Sequence, residues 1–255
     1  MIYYCFRETE DWINKGPYQE KDDWWGYNKN RESKFHLFKE FFDLWNETQL
    51  VSYFQFRHEL KKLAKLSFED AGIPEIPIDN WRDLKEDDWI IPQDDDDWVA
   101  PNLKSLIEEA KRDVLLGDVR VINSVRGFGY KVLAKNRTAF FPSCGQAFRM
   151  GMLKKHFSET DIKNFLRHHN YGKWFLDREK IPYVTDNLSI TACRLLHTGS
   201  ASYMFTGEGK RFDKFSLSKK LEFNLPNISN QPVWCRKYMK EFKKLTECFS
   251  KIKML

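Results

Sequence analysis

The sequence predicts an α/β protein, a Rossmann-like mixed sheet flanked by helices, in a single domain with a C-terminal helical extension. Three observations predict it. Short runs of β-forming residues recur between Ile2 and Leu196, with helix-period segments between them. The apolar run Trp89-Ile90-Ile91 leads into four consecutive aspartates, Asp94 to Asp97, and then into a helical face. A chain of 255 residues that is 42% hydrophobic and 16% aromatic has enough apolar material for one sizeable core, near the upper limit for a single domain.

Residues 2–6, Ile-Tyr-Tyr-Cys-Phe, read as a buried first strand that Arg7-Glu8 ends. Residues 8–30 hold Gly16-Pro17, Asp22-Asp23 and Gly26 among aromatics and read as an irregular loop able to close over a ligand. From Ser33, the spacing of Phe35, Phe38, Phe41, Phe42 and Trp45 predicts an amphipathic helix, and a second is expected over 57–70. The turn-rich passage from Gly72 to Asn80 delivers the chain to the strand at Trp89. Pro101 fits a first helical turn and Leu103, Leu106, Ile107 and Ala110 a helical face, so the aspartates are expected at a strand-to-helix junction, where ligands of open α/β folds bind. Strands are expected over 119–125, 130–133, 138–141 and 188–196. Ser158-Glu159-Thr160-Asp161 resembles a capping box opening a helix to about His169, and 233–252 forms a basic amphipathic helix.

Lys and Arg outnumber Asp and Glu by 42 to 37, an excess too small to imply nucleic acid by itself. The five cysteines are widely spread and form no CxxC pair, which argues against a disulfide framework or a zinc site and for a reducing, cytoplasmic compartment. No segment has the apolar length of a membrane span, nothing reads as a targeting segment, and no obligate protein partner is evident.

Four adjacent carboxylates at the end of an apolar strand repel one another unless cations neutralise them. Hard oxygen ligands suit magnesium or manganese, which keep sites open for phosphate oxygens. A solvated acidic turn favouring the next helix N-terminus is the plain alternative, but this run is framed by Ile90-Ile91 and Trp98-Val99 rather than by polar residues. As loop acids relieved of repulsion, the aspartates are expected to tolerate Asp96→Asn without loss of fold.

WIIPQDDDDWVAP, residues 89–101, resembles the Asp-any-Asp motif of glycosyltransferases of the GT-A fold, which follows a hydrophobic strand. Within that fold the pattern is similar to a rhamnosyltransferase-like group, with an aspartate-rich motif and a late histidine before small polar residues, here His197-Thr198-Gly199-Ser200. The resemblance covers about residues 1–205. It implies a glycosyltransferase domain with a nucleotide-binding half over about 1–117, an acceptor half over 118–205, and an extension over 206–255. It implies a nucleotide-diphosphate sugar donor, Mn2+ or Mg2+, and a glycan acceptor, with a nucleic-acid acceptor also admitted. By resemblance Asp96 coordinates the metal, Asp94 faces the ribose or metal, and Asp97 supports the loop. Asp95 is the middle position, unless the register shifts by one to Asp95 with Asp97. The usual nucleotide-binding acid after the second strand has no clear counterpart in this chain.

His197 reads either as a metal or phosphate partner of the aspartates or as a strand-end histidine bonded to backbone. Donor contacts are assigned to Arg126 in the Arg-Gly-Phe-Gly loop and to Gly145, where a glycine permits close approach of a ligand; Arg149 and Lys210-Arg211 are further candidates. The catalytic base that takes the acceptor proton is Asp161 or Asp177. Two other classes remain open: a metal-dependent phosphohydrolase or nuclease, which usually gathers acids from several segments, and a non-catalytic module that binds nucleic acid or glycan through exposed aromatics.

Overall fold

The structure is a computed structural model, and it describes residues 1–7, 47–124, 126–134, 144–167, 176, 180–197 and 223–249. The expected loop over 8–30, the helix from Ser33, the strand over 138–141, His168-His169, Asp177 and the segment after His197 lie outside the described residues.

The architecture is mixed α/β in a single domain. A seven-stranded sheet has the order β1-β2-β6-β4-β7-β3, with β5 paired on β4. The strands are β1 (Ile2–Arg7), β2 (Trp89–Asp94), β3 (Trp98–Val99), β4 (Val114–Asn123), β5 (Phe128–Val132), β6 (Gln146–Arg149) and β7 (Val184–Leu196). β1 and β2 run parallel with Ile2 opposite Trp89 and Arg7 opposite Asp94. β6 runs antiparallel to both β2 and β4, and β4 is parallel to β7. Two reversals cancel, so β1, β2, β4 and β7 point the same way. Their carboxyl ends, Arg7, Asp94, Asn123 and Leu196, lie along one edge, the side of an open α/β sheet where ligands collect.

Alternation along the strands divides the apolar side chains between two faces. Tyr4, Phe6, Trp89 and Ile91 belong to a core cluster shared with α1 (Glu47–Asp70) and α5 (Cys235–Phe249). Cys5, Ile90, Val114 and Leu116 belong to a second, shared with α3 (Met150–His156) and α4 (Glu159–Arg167). On the first face Tyr4 stacks on Phe68 at 3.8 Å between ring centroids, and Trp98 lies 5.7 Å from Tyr238. Cys235, Tyr238, Met239 and Phe242, at helical spacing, are all buried, so the apolar stripe of α5 is inside the core while Lys237, Lys240, Lys243 and Lys244 ring its outer side.

The sequence reading differs from the structure at several places. β2 runs through Asp94 instead of ending at Ile91. The aspartates are not a strand-to-helix junction. Asp97 N–H donates to Asp94 C=O at 3.3 Å, closing a four-residue turn, and Trp98-Val99 then pair with Cys193 and Ala192 of β7 before α2 (Leu103–Glu108) begins. Apolar β-formers after the acids take a place in the sheet that the helical periodicity downstream conceals. α1 is described from Glu47, ten residues before the expected start, and β6 with α3 was not anticipated.

Gly117 marks a register shift between β4 and β7, where a Cβ would sit 1.8 Å from Thr191 Oγ1, and Thr191 is itself held by donating to Asp118 C=O at 3.1 Å. Gly117→Ala is therefore expected to destabilise by about 1–3 kcal/mol through overpacking, a loss of about 2–4 °C in Tm per kcal/mol. An unchanged Tm would show that the β4–β7 bulge yields freely. Asp70 joins α1 to α5 by accepting from Lys237 Nζ and Tyr238 Oη. Burial raises its pKa, but these donors outweigh it and the net shift is downward from 3.8. A depressed carboxylate stabilises above its unfolded pKa and loses that contribution as pH falls. The Tm gap between wild type and Asp70→Asn should thus be largest near neutrality and close as pH falls below 3.8; a gap independent of pH would exclude the ionic origin.

Candidate metal centre

Asp94, Asp95, Asp96 and Asp97 are all buried, at 7%, 5%, 7% and 1% exposure. Four carboxylates withdrawn from water in one turn require compensation, and burying them unpaired costs several kcal/mol per ion. Three guanidinium groups supply it. Arg7, ending β1 beside Asp94, has Nη1 3.6 Å from Asp94 Oδ1, while its Nε donates to Leu166 C=O at 3.1 Å. Arg57, on the buried face of α1 one turn from Leu60, donates from Nη2 to Asp95 Oδ1 and from Nη1 to Asp96 Oδ2 at 2.6 Å. Arg194 of β7 is buried in the field of Asp97, Asp94 and Asp96.

His197, fully buried just past β7, stands with Nε2 3.1 Å from Asp96 Oδ2 and 3.1 Å from Arg57 Nη1, its ring edge-on to Phe56 at 5.4 Å. Burial pushes its pKa below 6.5, the Asp96 bond opposing only in part, so the imidazole is neutral at neutral pH. One ring nitrogen then faces both a carboxylate and a guanidinium. With a proton on Nε2 it suits Asp96 and opposes the Arg57 N–H; with a lone pair there it accepts from Arg57 and faces the Asp96 oxygen lone pairs. Either tautomer leaves one edge of the triangle mismatched.

Neighbouring acids are driven in opposite directions. Burial alone would raise Asp96, but the charge of Arg57 and the His197 bond reverse this and hold it well below the usual carboxylate range. Asp97 is raised well above 3.8, first by burial and then by the Asp96 and Asp94 carboxylates, against which Arg194 and the Leu195 N–H act too weakly. Asp97 Oδ1 accepts from Leu195 N at 3.0 Å, and its buried Oδ2 has no hydrogen-bond partner.

These residues fit a hard divalent cation. One oxygen each from Asp94, Asp96 and Asp97 lies within 4.8 Å of the others. The Asp97 oxygen without a hydrogen-bond partner is a lone-pair donor, and His197 Nε2, outside that set, is one in its Nδ1–H tautomer. Asp95 is outside that set, and Arg57 engages both it and Asp96.

Among the other candidates, Gly145 is buried with φ +66° at the start of β6, its carbonyl accepting from Gly117 N at 3.0 Å. Because β6 is antiparallel to β2, that start lies toward the aspartate end of β2. Arg126 is exposed in the turn after β4, at the same edge of the sheet, its backbone N–H donating to Asn123 Oδ1 at 3.0 Å. Arg149 stands opposite Trp89, at the far end of β2 from the aspartates, and pairs with Asp113 at 2.9 Å. Asp161 caps α4: its Oδ2 accepts from Ser158 Oγ at 2.7 Å and its N–H donates to that oxygen at 3.2 Å, the reciprocal pattern of the expected capping box. Asp177 and Lys210-Arg211 lie outside the described residues.

Sequence reasoning missed Arg7, Arg57 and Arg194. Arg57 was hidden by starting its helix too late, since from Glu47 onward it falls on the face of Leu60 and Ala64. Arg194, the single charge in the apolar run Ile190 to Leu196, carried a usable signal: a cation inside a buried strand demands a buried anion. No protein-family model matches this chain, and no curated protein matches it.

The expectation that the aspartates are structurally idle is overturned, because they are partners in a buried ion network. Asp96→Asn removes the ionised partner of Arg57 and is expected to cost about 3–5 kcal/mol without any metal. Asp97→Asn keeps the acceptor for Leu195 and replaces the strained oxygen by a donor, so Tm at neutral pH should hold or rise. Thermal melts of both variants in chelator test this; a larger loss for Asp97→Asn than for Asp96→Asn would reverse the assignment.

Proposed function

We propose that this chain is a metal-dependent glycosyltransferase of GT-A type, moving a sugar from a nucleotide-diphosphate donor to an acceptor hydroxyl. The observation that carries it is the Asp94–Asp97 turn at the carboxyl ends of the parallel strands, with three carboxylate oxygens converging and His197 arriving from the end of β7. The order of elements supports the same reading: a first strand, an aspartate motif after the next parallel strand, and a late histidine.

Asp94, Asp96 and Asp97 would hold Mn2+ or Mg2+ with His197 beside them, and the bound ion supplies positive charge that stabilises a leaving diphosphate. The chain's own contribution is preorganisation. Asp96 is kept ionised by Arg57 and His197, so no proton has to leave before it ligates. Asp97, which burial and then the neighbouring acids push toward its protonated form, is driven toward the ionised form by a bound cation. With all four carboxylates ionised against three guanidinium groups the site carries one net negative charge, so a dication makes it net positive and receptive to an anion. Gly145 and Arg126, at the same edge of the sheet, serve the donor. Removal of the acceptor proton falls to Asp161 or Asp177; for Asp161 this requires release from Ser158.

A second reading rests on a separate observation. Phe128 and Tyr130 on β5 are exposed, with rings 6.0 Å apart, beside the carboxyl end of β4. Such a pair can stack on sugar rings or bases. It suits an acceptor platform, and equally a glycan or nucleic-acid binding module without catalysis.

The deciding experiment is a thermal-shift screen of uridine, guanosine, thymidine and cytidine diphosphates with manganese, magnesium or chelator. One diphosphate should stabilise by about 2.7 kcal/mol at one hundred times its Kd, and only with metal. Equal stabilisation in chelator would sink the metal role, and stabilisation by metal-free glycan or single-stranded nucleic acid alone would favour the binding module.

A further inference from the structure

We propose that Arg57 is the site's internal counter-ion, that a divalent cation takes its place on Asp96, and that the displaced guanidinium then binds the diphosphate. The inference rests on the metal-dependent reading above and names a binding residue for it. Arg57 Nη1 sits 2.6 Å from Asp96 Oδ2 and 3.1 Å from His197 Nε2, so it stands between two of the atoms best suited to ligate a metal. The triangle they form has no proton arrangement that satisfies all three edges. A dication in the guanidinium's place turns both mismatched groups into ligands, since carboxylate oxygen and imidazole nitrogen each offer it a lone pair.

Displacement from Asp96 does not release Arg57 into an apolar core. Its other nitrogen stays within reach of Asp95, which stands outside the converging set. A guanidinium anchored on one side and vacated on the other has its fork open toward the metal. A diphosphate oxygen bridging to that metal meets the planar, bidentate donor that phosphate groups favour. The exchange breaks no covalent bond. Arg57 surrenders one carboxylate and gains one phosphate, and Asp96 surrenders one cation and gains another.

The test uses the full chain, with manganese binding followed by paramagnetic resonance and manganese-pyrophosphate binding by calorimetry, in wild type and Arg57→Met. Manganese alone should bind the variant at least tenfold more tightly, because it no longer competes with a tethered cation. Manganese pyrophosphate should bind it at least tenfold more weakly, because the phosphate contact is gone. A residue of purely structural importance would weaken both. Should the single variant not fold, Arg57→Met/Asp95→Asn removes the stranded charge with the guanidinium and carries the same comparison. Manganese affinity no higher than wild type overturns the counter-ion role while leaving the metal centre standing. Unchanged pyrophosphate affinity overturns the transfer to diphosphate. No manganese binding to either protein removes the metal centre and this inference with it.

Discussion

Burial of four consecutive carboxylates is the constraint on which the arrangement of this molecule depends. No local structure can satisfy it, because the turn itself offers no cation. The compensation comes from β1, α1 and β7, segments separated by tens of residues, and each must arrive at the same corner. Parallel pairing of β1 with β2 sets Arg7 beside Asp94, and parallel pairing of β4 with β7 brings Arg194 and His197 to that edge. Trp98, fully buried against Tyr238 and Phe242, pins the downstream side of the turn so that the acids cannot swing into solvent.

Much of this was legible along the chain. Strands rich in β-formers declared themselves at Ile2, Trp89 and Leu188, and the capping box at Ser158 opened its helix as read. What escaped notice was short or ambiguous in period. Gln146–Arg149 is too brief to show alternation, and Trp98-Val99 takes its strand character from pairing with Cys193 and Ala192. The part of α1 before residue 57 was hidden because the stretch from Glu47 to Phe56 shows no clear helix start signal.

The aspartates were legible as a site because they are contiguous, and contiguity is something a string can display. Their cations were not, because each arginine is a solitary charge whose partner is chosen by register and topology. His197 lay between these cases: its position after an apolar strand suggested a strand end, but its complete burial against Phe56, Asp96 and Arg57 depends on where that strand docks. Sequence order also could not assign different roles to adjacent acids. Asp96 and Asp97 are chemically identical and one residue apart, yet the first is held ionised by a guanidinium and the second is pushed toward its protonated form by burial and then by the first.

That opposition within one turn limits how the site can respond to a ligand. Backbone movement of the turn is resisted on both sides, by the register of β2 with β1 and by the pairing of β3 with β7. Backbone movement of α1 is resisted as well. Phe56, adjacent to Arg57, is fully buried among His197, Phe223, Phe242 and Phe249, so shifting the helix would disturb the packing that joins α1 to α5. The remaining freedom is in side-chain torsions, and Arg57 combines a long side chain on a packed helix with a carboxylate on each side of its guanidinium. A change of charge in the turn is therefore met first by rotation of one guanidinium between fixed acids, a movement small enough to leave the surrounding close-packed rings undisturbed.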